Sequence, residues 1–274
     1  HGQGYTDLNF LIPELVDRIR FRKGPYFADE GDFSSVGVAR IDYFRKLEGT
    51  LAQLTGGQNG YERALLAGSP AVGAGNLLYA LELFHNDGPW AVPENYRKLN
   101  GVLRYSQGTR DDGFAITGMA YTGQWTSTDQ VARRAIDSGL IGRYGTLDDS
   151  TGGETYRYSL SAEWARRGEN SQSQASAWAL RSGLDLWSNF QYCLNDIAAT
   201  GTCATGDQFK QGERRLAGGL SAAHTVFDNW GGREVANSFG VDARRDRIDP
   251  VGLYNTQRRV TWNTVREDVV TQNI

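Results

Sequence analysis

What this sequence lacks excludes several classes of protein. None of its 274 residues belongs to an apolar run of about 18, so no transmembrane helix is expected. Positive charge is not in excess: 29 Lys and Arg face 32 Asp and Glu, and a net charge of −3 argues against a nucleic-acid surface. Histidine is scarce, with His1, His85 and His224 far apart, and only two cysteines occur, so no spaced metal-ligand set is present. The glycines of Gly231–Gly240 do not follow phosphate-loop spacing. Asp111-Asp112 and Asp148-Asp149 are neighbours in sequence, which does not make an acid–base pair across a cleft. Neither an enzymatic activity nor a cofactor is expected.

The chain does have a two-residue alternation that recurs from segment to segment. In Thr155–Trp164, Tyr156, Tyr158, Leu160, Ala162 and Trp164 alternate with Thr155, Arg157, Ser159, Ser161 and Glu163. A strand sends successive side chains to opposite faces, so such a segment has one apolar and one wet face. The pattern returns around Leu99–Tyr105 and Val235–Ala243. Alternating segments of about ten residues separated by turns are the signature of a transmembrane β-barrel. An apolar content of 39 % and a mean hydropathy of −0.50 are compatible with that reading, because only half of each strand would face lipid. Aromatics, at 11 %, suit interfacial girdles, although carbohydrate-binding proteins are also rich in them.

Strands are predicted near 48–56, 60–69, 75–86, 96–107, 113–125, 154–167, 170–187, 212–227, 233–247 and 258–270. Connections alternate between short (70–74, 107–112, 167–170, 229–232) and long (86–95, 126–153, 188–211), as in an outer-membrane barrel. The first hairpin, at Gly56–Asn59, is short on the long side. A short helix is predicted over Gln130–Leu140, ending at Gly139. Residues 1–47 differ: their strands are short and their chemistry mixed, which points to a small globular unit. Cys193 and Cys203 lie ten residues apart in a polar stretch and predict a local disulfide in an oxidising compartment, against the alternative of two separate thiols. Beginning at His1 without an initiator Met and stopping in a strand-like segment at Ile274, the chain reads as a fragment of something longer.

Residues 17–44 carry a more specific pattern. Arg18, Ile19, Phe21, Lys23, Gly24 and Pro25 form a basic strand closed by a Gly-Pro turn. Ser34, Ser35, Gly37, Ala39 and Ile41 form a small-residue passage that runs into a closing strand. This resembles the end of the plug domain in TonB-dependent outer-membrane receptors. It departs from the family pattern at Val36-Gly37-Val38-Ala39, where the family usually has two glycines.

The resemblance implies an all-β fold: a partial transmembrane antiparallel β-barrel of meander hairpins, with a small α+β plug remnant. Residues 1–47 would be the C-terminal part of the plug and residues 48–274 the first part of the barrel. Full barrels of this kind have about 22 strands, of which roughly nine or ten are represented here. The strand count predicts an open curved sheet with unpaired edges near 48–56 and 258–270 and with residues 1–47 on its concave face. The resemblance also implies active uptake of a small extracellular ligand (a siderophore-iron complex, cobalamin, a saccharide or another chelate) energised by TonB. The full-length protein would be monomeric in the bacterial outer membrane, in contact with its lipid, with long loops extracellular and the plug side periplasmic.

Site expectations follow. The basic strand Arg18, Arg20, Arg22 and Lys23, with Gly24, Pro25 and Gly37, would pack on the barrel wall; the alternative is a solvated charged strand. Wall residues facing the lumen would include Arg157, Glu163, Asp185, Glu234 and Asp242. Ligand capture would use Trp90, Arg133, Arg134, Tyr144 and Tyr192 in the long loops, with interfacial girdling as the other reading for the aromatics. Trp125 and Trp187, at strand ends, fit the girdle better. Competing functions are a passive porin-like barrel and a secreted β-rich carbohydrate-binding domain.

Overall fold

The computed structural model describes residues 6–26, 30, 34–126 and 129–274. Pro13 opens a single 3₁₀ turn, Pro13–Leu15, where its missing N–H costs nothing. The strands β1 (Val16–Lys23) and β2 (Gly37–Tyr43) then pair antiparallel as a separate two-stranded sheet.

All later strands form one antiparallel meander: β3 (Leu51–Gly56), β4 (Glu62–Gly68), β5 (Ala71–Val72), β6 (Gly75–Asn86), β7 (Tyr96–Gly108), β8 (Gly113–Thr126), β9 (Gly152–Arg167), β10 (Ser171–Ser188), β11 (Phe209–Trp230), β12 (Arg233–Gln257) and β13 (Val260–Asn273). Each pairs with its sequence neighbour, except that β4 pairs with β6 while the two-residue β5 folds onto β6. The sheet is not closed; β3 and β13 are its edges. The fold is thus an all-β partial barrel, with the expected edge strands unpaired.

Strand boundaries depart from expectation mainly in β12, which runs ten residues past the predicted 247, to Gln257. The structure places Pro250 inside a register shift between Ile248 and Val251, where a ladder N–H is not required. The β11–β12 hairpin turns on Gly231 and Gly232, at φ +60° and +81°, the left-handed pair a tight hairpin needs. In the loops, α1 (Arg133–Asp137) falls inside the predicted helical stretch, and α2 (Leu194–Thr200) was not foreseen.

Register sorts the side chains onto two faces. On one, Leu65, Ala67, Leu78, Ala80 and Val102 pack with Ile12, Leu15 and Tyr43 into a buried core. Ile12 and Leu15 are 0 % and 1 % exposed, each worth about 1.5–3 kcal/mol of burial. On the opposite face Leu66, Leu81, Leu103, Leu160, Leu220 and Phe239 stand between 46 % and 70 % exposed. No described element covers them.

Candidate functional site

The N-terminal segment meets the sheet through a polar and ionic seam. Glu14, positioned by the 3₁₀ turn, accepts two hydrogen bonds from Arg63 of β4, at 2.6 and 2.8 Å. The same guanidinium donates through Nε to Glu82 of β6 at 2.6 Å, and Lys98 of β7 lies 2.9 Å from the other Glu82 oxygen. Glu82 is only 1 % exposed, so this four-residue chain of alternating charge is what makes its burial tolerable. The Arg63 hydrogen bond outweighs burial and holds the Glu14 carboxyl below its ordinary pKa. Asn100 donates to the Asn9 carbonyl at 3.2 Å, and the Arg157 guanidinium covers the Phe10 ring at 4.3 Å.

Nearer the short turns, Arg45 donates to the carbonyls of Gln107 and Phe114 at 3.0 and 2.7 Å. Arg110 donates to Asp17 at 2.7 Å and to the Tyr43 carbonyl at 2.9 Å. Burial pushes the Tyr43 hydroxyl up to about 12.

The basic strand is placed otherwise than its charge suggested. Arg18 and Arg20 both bond Asp42 of the partner strand β2, at 2.7 and 3.0 Å. Arg22 and Arg40 bond Glu30, and Lys23 and Pro25 are exposed. Cross-strand neighbours in the β1–β2 hairpin are closer than the sheet, so these cations find their carboxylates there. The seam instead uses Glu14, Asp17, Asn9 and Arg45, with the sheet supplying cations at Arg63, Arg110 and Arg157. Charge counting could not find this, because the residues are scattered; the signal was Pro13-Glu14 at the head of a turn. Gly24 bends the chain at φ +81° and donates to the Val36 carbonyl. Gly37 sits at φ +152°, where a Cβ would lie 2.5 Å from the Arg22 carbonyl oxygen, so glycine is needed for the hairpin to close.

Among the expected wall residues, Arg157 and Glu163 lie on the face that the N-terminal segment covers, Glu163 bonding Arg104 at 3.0 Å. Register places Glu234 and Asp242 on that same face, farther along β12 and exposed. Asp185 is a correction: it stands opposite Glu154 and Gly212, on the other face, where it bonds Arg214 and lies 3.6 Å from Lys210. The expectation assumed that polar residues point inward in every strand. In β10 the inward side carries Trp178, Leu180 and Leu184, and the outward side carries Ala175, Ala177 and Ala179, so polarity reads in reverse.

The long loops are tied together at the far end of the sheet. Asp148 accepts from Ser150, from Asn189 at 2.9 Å and from Gln208 at 2.9 Å. Burial opposes its ionisation, but the Asn189, Ser150 and Gln208 bonds prevail and hold its pKa below normal. Arg259 sits in the β12–β13 turn at φ +68°, an unfavourable conformation for a non-glycine residue. It is held there by bonds to the carbonyls of Ser150 (2.7 Å) and Thr151 (2.9 Å), and it covers the Trp187 ring at 4.9 Å. No sequence motif marked Arg259. Trp187, expected in a girdle, is buried beneath it.

Trp90 packs on Tyr144 at 6.1 Å and donates to Glu94 at 3.0 Å; Tyr192 donates to the Gln130 carbonyl at 2.9 Å. Arg133 and Arg134 are exposed on α1, and Arg133 lies 3.4 Å from Asp137. Cys193 and Cys203 are joined as a disulfide, with Cα atoms 5.4 Å apart. Among the described residues no group of three His, Cys, Asp or Glu is placed to hold a metal ion. Among the described residues the loops form a braced platform with two aromatic stations, one at Trp90 and Tyr144 and one at Tyr192.

No family model matches the sequence, and no curated protein matches it. Among solved structures, the chain is similar to the ferric-catecholate import receptor Fiu from E. coli K12, in its open form, at a TM-score of 0.62 and 14 % sequence identity. The match covers 90 % of this chain and 41 % of that one, so the chain spans less than half the receptor's length. At that identity the likeness is one of fold alone.

Proposed function

We propose that this chain is part of an outer-membrane active-transport receptor. In this reading residues 1–47 are the C-terminal part of a plug and residues 48–274 the first part of the barrel around it. Long loops face outward, the short turns face the periplasm, and TonB acts through plug sequence outside this chain. The ligand is a scarce small molecule such as a siderophore-iron complex, cobalamin or a saccharide; the named ligand of the Fiu neighbour makes a ferric chelate the first to try.

One observation carries the reading: the sheet exposes a broad apolar face while its polar face is occupied by the N-terminal segment. An apolar surface this large needs lipid or a protein partner. A secreted sandwich would cover it with a second sheet, and none is present among the described residues. A passive porin has no reason to fill its lumen through salt-bridged contacts.

The test is uptake by the full-length chain in a bacterial host lacking its own receptors, with and without TonB. Accumulation of a labelled ferric chelate, cobalamin or saccharide that requires TonB supports the proposal. Uptake independent of TonB would mean a porin, and a chain monodisperse without detergent would mean a soluble module.

A further inference from the structure

Resting on the membrane reading above, a feature of the outward face goes beyond it. Across β6 to β11 the outward apolar side chains are interrupted by a shallow furrow, largely open to its surroundings, of about 760 Å³. Its floor is Gly101, Gly118 and Ala120, and its walls include Leu103, Leu160 and Tyr158. A Cβ added at Gly118 would meet nothing within 4 Å, so the protein's own side chains leave this space open. Arg181, exposed, closes the end of the furrow nearer the long loops.

Arg181 has no hydrogen bond or ion pair among the described residues, and Arg245 on the same face is likewise unpaired. Register puts Leu216 opposite Arg181 and Arg247 beyond it, with Arg214 on the diagonal one row higher. The carboxylates nearby are already engaged: Asp185 by Arg214 and Asp249 by Arg247, the latter at 2.6 Å. Glu154 lies higher, opposite Asp185. A second hollow of about 1230 Å³, lined by Tyr156, by Arg97 and Arg214 and by the carboxylates Glu62, Glu154 and Asp185, opens on that side, and Tyr158 lines both. An apolar trough that ends at one unpaired guanidinium, Arg181, complements the shape and charge of an amphiphile with an anionic head.

We infer that this face holds an acylated, phosphate-bearing lipid of the surrounding leaflet, an acyl chain lying over Gly118 and the phosphate paired with Arg181. Arginine suits the head group because its planar fork meets phosphate oxygens two at a time. A bilayer lipid is favoured over free phosphate because the furrow is apolar and continuous with the exposed band.

The experiment is native mass spectrometry of the full-length chain released from bilayers containing phosphatidic acid and phosphatidylcholine, with inorganic phosphate as competitor. We expect phosphatidic acid to be retained about fivefold over phosphatidylcholine, in line with one basic contact at a membrane surface. Arg181→Gln and Gly118→Phe should each remove the preference, and Arg181→Lys should keep most of it. Gly118→Phe fills the furrow without a backbone clash, so its loss reports the acyl site. Equal retention of the two lipids by the wild type, an unchanged preference in Arg181→Gln, or displacement by inorganic phosphate would overturn the inference while leaving the membrane reading intact. A chain that needs no detergent would overturn both.

Discussion

The two faces of one sheet are built from the same strands and follow opposite rules. The covered face buries charge, Glu82 at 1 % exposed and Arg104 at 6 %, and satisfies it with partners. The open face carries leucines and aromatics at roughly half exposure and leaves them bare. In water that assignment would be reversed. Under the proposed function each face is adapted to a different medium: a protein-filled polar interior and a hydrocarbon exterior.

The sharpest way to break this contrast is at the buried ionic chain. Arg63→Met leaves Glu82 buried beside Lys98 alone and strands Glu14; removing one member of a buried pair costs about 3–5 kcal/mol. Limited proteolysis should then cut the N-terminal segment rapidly, and a wild-type rate would refute the role. Leu15→Ala attacks the apolar part of the same seam, and a cavity there should cost about 2–5 kcal/mol in a thermal melt.

On the other face, Leu160→Lys should cost about 2–4 kcal/mol in a bilayer near its midplane. The same change would be nearly neutral for a soluble protein, so the ratio of inserted to aggregated chain decides which medium this face meets. The smallest effect is that of pH on the seam. The folded pKa of Glu14 is depressed, so its contribution is present above the unfolded carboxylate value and is lost as pH falls through the folded one. Acidification below the usual carboxylate range should therefore loosen the N-terminal segment, and Glu14→Gln should flatten that dependence. Proteolysis rates that do not change with acid in the wild type would exclude Glu14 as the titrating contact.

Strand positions were legible because period-2 alternation is local and survives without tertiary information. Residues 75–86 and 96–107 were located to within a residue of β6 and β7. The facing of Asp185 was not legible, since β10 turns larger apolar side chains inward and alanines outward. The β1 cations were read as wall contacts because charge was visible and the competing Asp42, Glu30 and hairpin register were not. Arg259 escaped notice altogether: its partners Ser150, Thr151 and Trp187 come from loops and strands far away in sequence.

By itself, then, the sequence determined that the chain forms antiparallel hairpins with two chemically distinct faces, because side-chain alternation is a property of the extended backbone. Tertiary structure alone decided which carboxylate meets which arginine and which face each irregular strand presents. Those outcomes depend on register and on distances across strands, where a shift of one residue exchanges every side chain between the two faces.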